Sequence, residues 1–250
     1  EEEHSDRRNN TISGQLRNLN YNVMNLSRAH NGALLKLASI QEYAYHFKPK
    51  IVLWLYYEYD LRYLLSELNS AILSNYLIKK DFQQNLKNRQ NEINETYKYY
   101  LKNEYNYFET NTFYEMLISF LRFPNIRKLL NIKKPVYREN LTNNKPIEFE
   151  KILNKANNIV SSWGGKLYFV SLPDYKRFSE NYKPDSQDFV VETVKKLQIP
   201  FIDMYEYFKE NNNDHLSIFP HKIDYDYINH YNGKGYSLVT KAIYDKIKNN

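Results

Sequence analysis

Residues His230 to Leu238 read HYNGKGYSL and run straight into VTKAIYDKIKNN. An imidazole beside a tyrosine and an asparagine, ahead of two glycines and an amphipathic last helix, has two uses: proton acceptor or helix entrance. Two carboxylates precede it. Asp226 stands four residues earlier, where a helical turn would bring it to the ring, and Asp224 is a weaker partner six residues earlier. Other reactive types are less well arranged. Ser27 lacks the Gly-x-Ser-x-Gly elbow of a serine nucleophile. Asp214, His215 and His221 stand at a spacing that fits no standard metal cluster, so no metal is expected. The chain has no cysteine, which removes disulfides, thiolate zinc sites and cysteine nucleophiles.

The elements that must position His230 follow from hydrophobic patterning. Four apolar runs read as buried strands: Tyr21 to Leu26, Lys50 to Tyr57, Lys166 to Leu172, and Ile199 to Asp203. Helical patterns lie between them. Leu34, Leu37, Ala38 and Ile40 suit a short helix, and Pro49 resets the chain before the second strand. Phe149, Ile152, Leu153, Ala156 and Val160 make a helix that Gly164 and Gly165 stop before the third strand. FVVETVKKL crosses over to the fourth strand, and the final helix runs from about Tyr236 through Val239, Ile243 and Ile247. This alternation predicts a three-layer α/β/α sandwich around a mostly parallel sheet.

One stretch breaks the alternation. From about 61 to 132 no strand pattern occurs, and LRYLLSELNSAILSNYL, KKDFQQNLKNRQNEINETYKYYL and FYEMLISFLRF read as successive helices. They form a helical insertion within one domain spanning 1–250. The middle helix is polar, with a sparse stripe at Phe82, Leu86, Ile93, Tyr97 and Leu101, so the surface from Lys79 to Tyr105 is a candidate protein-partner face.

Bulk properties narrow the classes. The formal net charge is +6, but lysines and arginines are interleaved with acids along the chain, which argues against nucleic acid. IVLWLYY is far short of the roughly 20 residues of a spanning helix, so no transmembrane segment is expected. Six glycines in 250 residues are few, so turns that need positive φ must be made by other residues. Trp54 and Tyr56 are expected in the core, with Met24, Met116 and Met204 as fillers.

Four segments, in order, resemble the blocks of the SGNH hydrolases, the GDSL-type esterases and lipases: NLSRAHNGALLKLASIQEY, PKIVLWLYYEYDLRYL, KLYFVSLPDYKRF, and FIDMYEYF with IFPHKIDYDYINHYNGKGYSLVTKAI. The resemblance implies a flavodoxin-like strand order, 2-1-3-4-5, and hydrolysis or transfer of an acyl ester through a covalent serine intermediate without cofactor. It implies His230 as base and Asp226 as its orienter. It also implies an oxyanion edge from the Ser27 backbone N–H and from Tyr59 with Asp60. Substrates would be small, lipid or glycan esters.

The chain departs from the family pattern. Ser27 replaces a glycine, Tyr59 replaces an asparagine, and Tyr227 stands where the aspartate is usual. Gly-Asp-Ser occurs nowhere in the sequence. The family's first strand and nucleophile are therefore expected upstream of Glu1. The competing reading is an inactive SGNH-like module that binds a glycan or a protein.

Overall fold

The computed structural model describes residues 9–28, 31–58, 60–99, 101–102, 146–179, 182, 186–212, 214–219 and 230–249. The chain divides into two compact units, residues 1–82 with 142–250, and residues 83–141.

The larger unit is mixed α/β. Its sheet has three parallel strands in the order β1-β2-β3: β1 (Ile51–Tyr57), β2 (Lys166–Leu172) and β3 (Phe201–Asp203). The register pairs Ile51 with Lys166, Tyr57 with Leu172, and Phe169 with Phe201. Three of the four predicted strands are therefore present. Residues 21–26 form no strand. Their alternation is real, since Tyr21 and Val23 pack inward, but a strand also needs a ladder partner, and among the described residues β1 pairs only with β2. Met24, expected in the core, is 46% exposed; Met204 is fully buried, and Met116 lies outside the described residues.

Helices cover both faces because strand side chains alternate. Trp54, Tyr56, Leu167 and Phe169 point to one layer, built from α2 (Ala33–Ser39), α3 (Asp60–Leu68), α4 (Ala71–Ile78), α5 (Ile147–Ser162) and α6 (Gln187–Lys196). Leu53, Leu55, Val170 and Ile202 point to the other, built from α1 (Ile12–Asn18), α7 (Met204–Asn211) and α8 (Gly233–Lys248). The result is an α/β/α sandwich. Helix α2 runs on through a π-helical turn, Ile40–Ala44, to a last turn at Tyr45–Phe47.

Local chemistry explains the ends. The long run predicted from Leu61 to Leu77 breaks at Asn69, because the Ser70 hydroxyl accepts from Leu73 N and starts α4 anew. From α5, Lys155 Nζ donates to the Tyr76 and Lys79 carbonyls, both at 2.6 Å, and closes that helix. Gly164, at φ 78°, ends α5 as its sequence position predicted. Elsewhere Asn20, Lys48, Asn85 and Gln198 take the positive φ that glycine would normally supply.

In the smaller unit residues 90–99 and 101–102 are helical, so this helix starts later than the predicted one. Arg89–Glu92 and Lys98–Glu95 pairs line its surface, and Tyr97, Tyr99 and Leu101 are exposed. FYEMLISFLRF lies outside the described residues.

Candidate functional site

The carboxyl ends of the three strands carry a polar network. Asp174, two residues past β2 and fully buried, caps a 3-10 turn at Tyr175–Phe178 by accepting from Lys176 N at 2.9 Å, and it accepts the Tyr57 hydroxyl at 3.0 Å. The turn aims Arg177 back at β1. Its guanidinium donates to Glu58 at 3.0 Å, the Tyr182 hydroxyl donates to the other Glu58 oxygen at 3.0 Å, and the cation lies 4.7 Å above the Tyr205 ring. Asp203, at the end of β3, caps α7 through Tyr205 N at 3.0 Å. One guanidinium thus serves the ends of all three strands.

Carboxylates outnumber cations here. Glu58 pairs with Arg177, Asp203 feels the same guanidinium, and Asp174 is held by the Tyr57 hydroxyl and Lys176 N. Burial raises Glu58 and Asp203 above the usual carboxylate range, against the pull of Arg177 on both. Beside Asp203, a groove of about 560 Å³ opens along β3, α7 and α8, rimmed by Glu206, Glu210, Asp245 and Lys246.

The segment HYNGKG comes to the same edge. The Tyr231 hydroxyl donates to the Pro173 carbonyl at 2.8 Å, and burial raises its pKa well above the ordinary phenol value, so it remains a donor. Asn232 caps α8 by accepting from Gly235 N at 3.0 Å and donates to the Ser217 and Phe219 carbonyls. A Cβ on Gly235 would lie 2.7 Å from the Ile218 carbonyl oxygen and 2.7 Å from Tyr231 Cβ, so only glycine lets the first turn of α8 approach this closely. His230, just before this anchored stretch, is exposed. The loop is thus a helix entrance that also presents an imidazole at the rim.

The other expected site residues fare differently. Ser27 is exposed, and its backbone N–H already donates to Asn25 Oδ1 at 2.9 Å. Asp60 is buried in an ion pair with Lys36 and also accepts Tyr57 N at 3.1 Å. Lys36 in turn donates to the Leu55 carbonyl at 2.8 Å, so the pair ties α2 to the end of β1. Burial pushes Asp60 upward despite Lys36. Tyr59 and Asp226 lie outside the described residues, as do Asp224 and His221. Among the described residues no hydrogen bond joins Ser27, Asp60 and His230. No group of three or more His, Asp or Glu among them is placed to hold a metal ion.

Sequence reasoning missed Glu58, Asp174, Arg177 and Tyr231. The available signal was charge placed directly after two apolar strands, YYE and LPD, which is where open α/β sheets gather their functional groups. No family model, curated protein or solved structure matches this chain.

Proposed function

We propose that this chain is an acyl-ester hydrolase or acyltransferase domain of the SGNH type, with His230 as the base. The observation that carries the reading is the tie from Tyr231 to Pro173, which holds the histidine loop at the carboxyl end of a parallel sheet. In the proposed step His230 takes the proton of a serine hydroxyl as its oxygen adds to the ester carbonyl. The imidazolium then returns that proton to the departing alcohol, and water releases the acyl group by the reverse relay. Asp226 and Tyr59 enter by resemblance as orienter and oxyanion donor. The serine has no counterpart among the matched positions of these 250 residues.

The test is turnover of p-nitrophenyl acetate and of acetylated glycans, with fluorophosphonate labelling, in the full-length wild-type protein and in its His230→Ala variant. The expected result is labelled, active wild type and about 10²–10⁴-fold slower turnover in the variant. A wild type that neither turns over ester nor takes the label overturns the reading.

Two contacts favour the second reading, a glycan- or protein-binding module without turnover. The Ser27 N–H and the Asp60 carboxylate, both assigned to the oxyanion edge, already have partners in Asn25 and Lys36. On that reading partner binding survives His230→Ala, and the exposed Tyr97, Tyr99 and Leu101 of the polar helix are further contact candidates.

A further inference from the structure

The opposite end of the sheet has a different character. Where β1 and β2 begin, Tyr45 is 44% exposed and Phe47 55% exposed, and the half-buried Trp163 ring lies 6.0 Å from Tyr45. Trp163 Nε1 donates to the Pro49 carbonyl at 3.0 Å, and Lys166 N donates to the Lys50 carbonyl at 2.9 Å. These bonds join the turn before β1 to the turn before β2 as one surface. A Cβ on Gly165 would lie 2.5 Å from Trp163 Nε1 and 2.7 Å from the Pro49 oxygen, so the close join requires glycine there.

The charges on this surface, among the described residues, are of one sign: Lys48, Lys50 and Lys166 are all exposed. Residues 43–57 and 151–173, which supply the surface, contain neither a carboxylate nor an arginine. The network at the other end of the same strands holds Glu58, Asp174 and Asp203. The strands therefore run from a basic, aromatic edge to an acidic one.

We propose that the amino edge of the sheet docks on an anionic phospholipid bilayer, with Phe47, Tyr45 and Trp163 at the headgroup level and Lys48, Lys50 and Lys166 against the lipid phosphates. Aromatic rings with one apolar body and one polar tip favour the membrane–water boundary, and lysine stems lie along apolar surface with the ammonium in water. Spaced lysines near a negative leaflet add attraction that falls off within a Debye length. No described helix is long and apolar enough to cross a membrane, so the contact is peripheral. Nucleic acid fits less well: residues 43–57 and 151–173 hold no arginine for bidentate phosphate contacts, and exposed Phe47 would gain little from a phosphate backbone. The docking is independent of the ester reading, because His230 lies at the far end of the strands.

Flotation of the full chain tests this, with vesicles of phosphatidylcholine alone or mixed with phosphatidylglycerol, at about 0.15 M salt. The chain is expected to float with the anionic vesicles only. Lys48→Glu/Lys50→Glu should weaken binding about 25-fold or more, and Phe47→Ser should weaken it with the charges intact. All three positions are exposed, so unchanged circular dichroism is expected and Lys166→Glu serves as a second variant. In a Trp54→Phe background Trp163 is the remaining tryptophan, and its emission should shift to the blue on binding. No flotation, equal flotation with neutral vesicles, or binding unchanged in the charge variants overturns the proposal. So does tight, salt-sensitive binding of a single-stranded oligonucleotide without vesicle binding.

Discussion

The Tyr231 hydroxyl donates to the Pro173 carbonyl oxygen at 2.8 Å, so the residue after His230 is fastened to the residue after β2. Both residues are buried, so removal of the hydroxyl leaves the carbonyl without this partner. Tyr231→Phe is expected to lower stability by about 1–3 kcal/mol, read as a lower urea midpoint at unchanged slope.

The Lys36–Asp60 pair is the second anchor of the carboxyl edge. Lys36→Met strands a buried carboxylate and is expected to cost about 3–5 kcal/mol. Lys36→Met/Asp60→Asn removes both charges and should be less damaging than the sum of the single changes. Chemical denaturation of the four proteins of the cycle measures the coupling.

Two glycines of the α8 entrance separate packing from conformation. Gly235→Ala drives a methyl into the Ile218 carbonyl and Tyr231, and is expected to cost about 1–3 kcal/mol. At Gly233 the nearest atom to the new methyl is Asn10 Cγ at 3.9 Å, so Gly233→Ala should stay within about 0.5 kcal/mol of wild type. Melting temperatures of the pair distinguish the two effects.

Gln198, exposed at φ 53° after α6, carries a side chain in left-handed backbone. Gln198→Gly is expected to raise stability by about 1 kcal/mol. An unchanged or lower melting temperature would contradict the strain assigned to that turn.

Glu67 gives a pH signature. Its carboxylate accepts from Gly32 N at 2.7 Å and Leu34 N at 2.9 Å at the start of α2, yet burial outweighs these bonds and raises its pKa. A raised folded pKa means that the folded state holds the proton longer. The associated stability is complete below the ordinary value of 4.5 and is lost as pH climbs through the raised value. The stability of wild type relative to Glu67→Gln should therefore fall as pH rises from 4 towards neutrality, seen in urea midpoints across that range.

The strands and helices that were legible in the sequence are those whose burial is encoded locally. Leu167 to Ser171 is buried on both faces and reads as a nearly continuous apolar run. Phe149 to Val160 keeps a helical period because α5 packs one stripe against the sheet. Tyr21 to Leu26 misled because strand identity also depends on a hydrogen-bonded neighbour, which residue order does not display. The HYNGKG loop and Asp60 stood out in the sequence, whereas the polar network beside them did not. Arg177 and Glu58 are 119 residues apart in sequence, and their pairing exists only once β1 and β2 are side by side. The break at Asn69 rests on the Ser70 hydroxyl cap and the π-helical turn at Ile40–Ala44 on backbone bonds, neither of which periodicity encodes.

The parallel pairing of Ile51 with Lys166 has a temporal consequence. At about 5–20 residues per second, a ribosome needs roughly ten seconds after making β1 to deliver its partner. Throughout that interval IVLWLYY lacks the ladder partner it has among the described residues, and the nascent chain offers a strongly apolar, β-prone heptamer to chaperones and to other nascent chains. Synthesis rate and chaperone supply, as much as the finished contacts, will govern how much of this protein reaches its folded state.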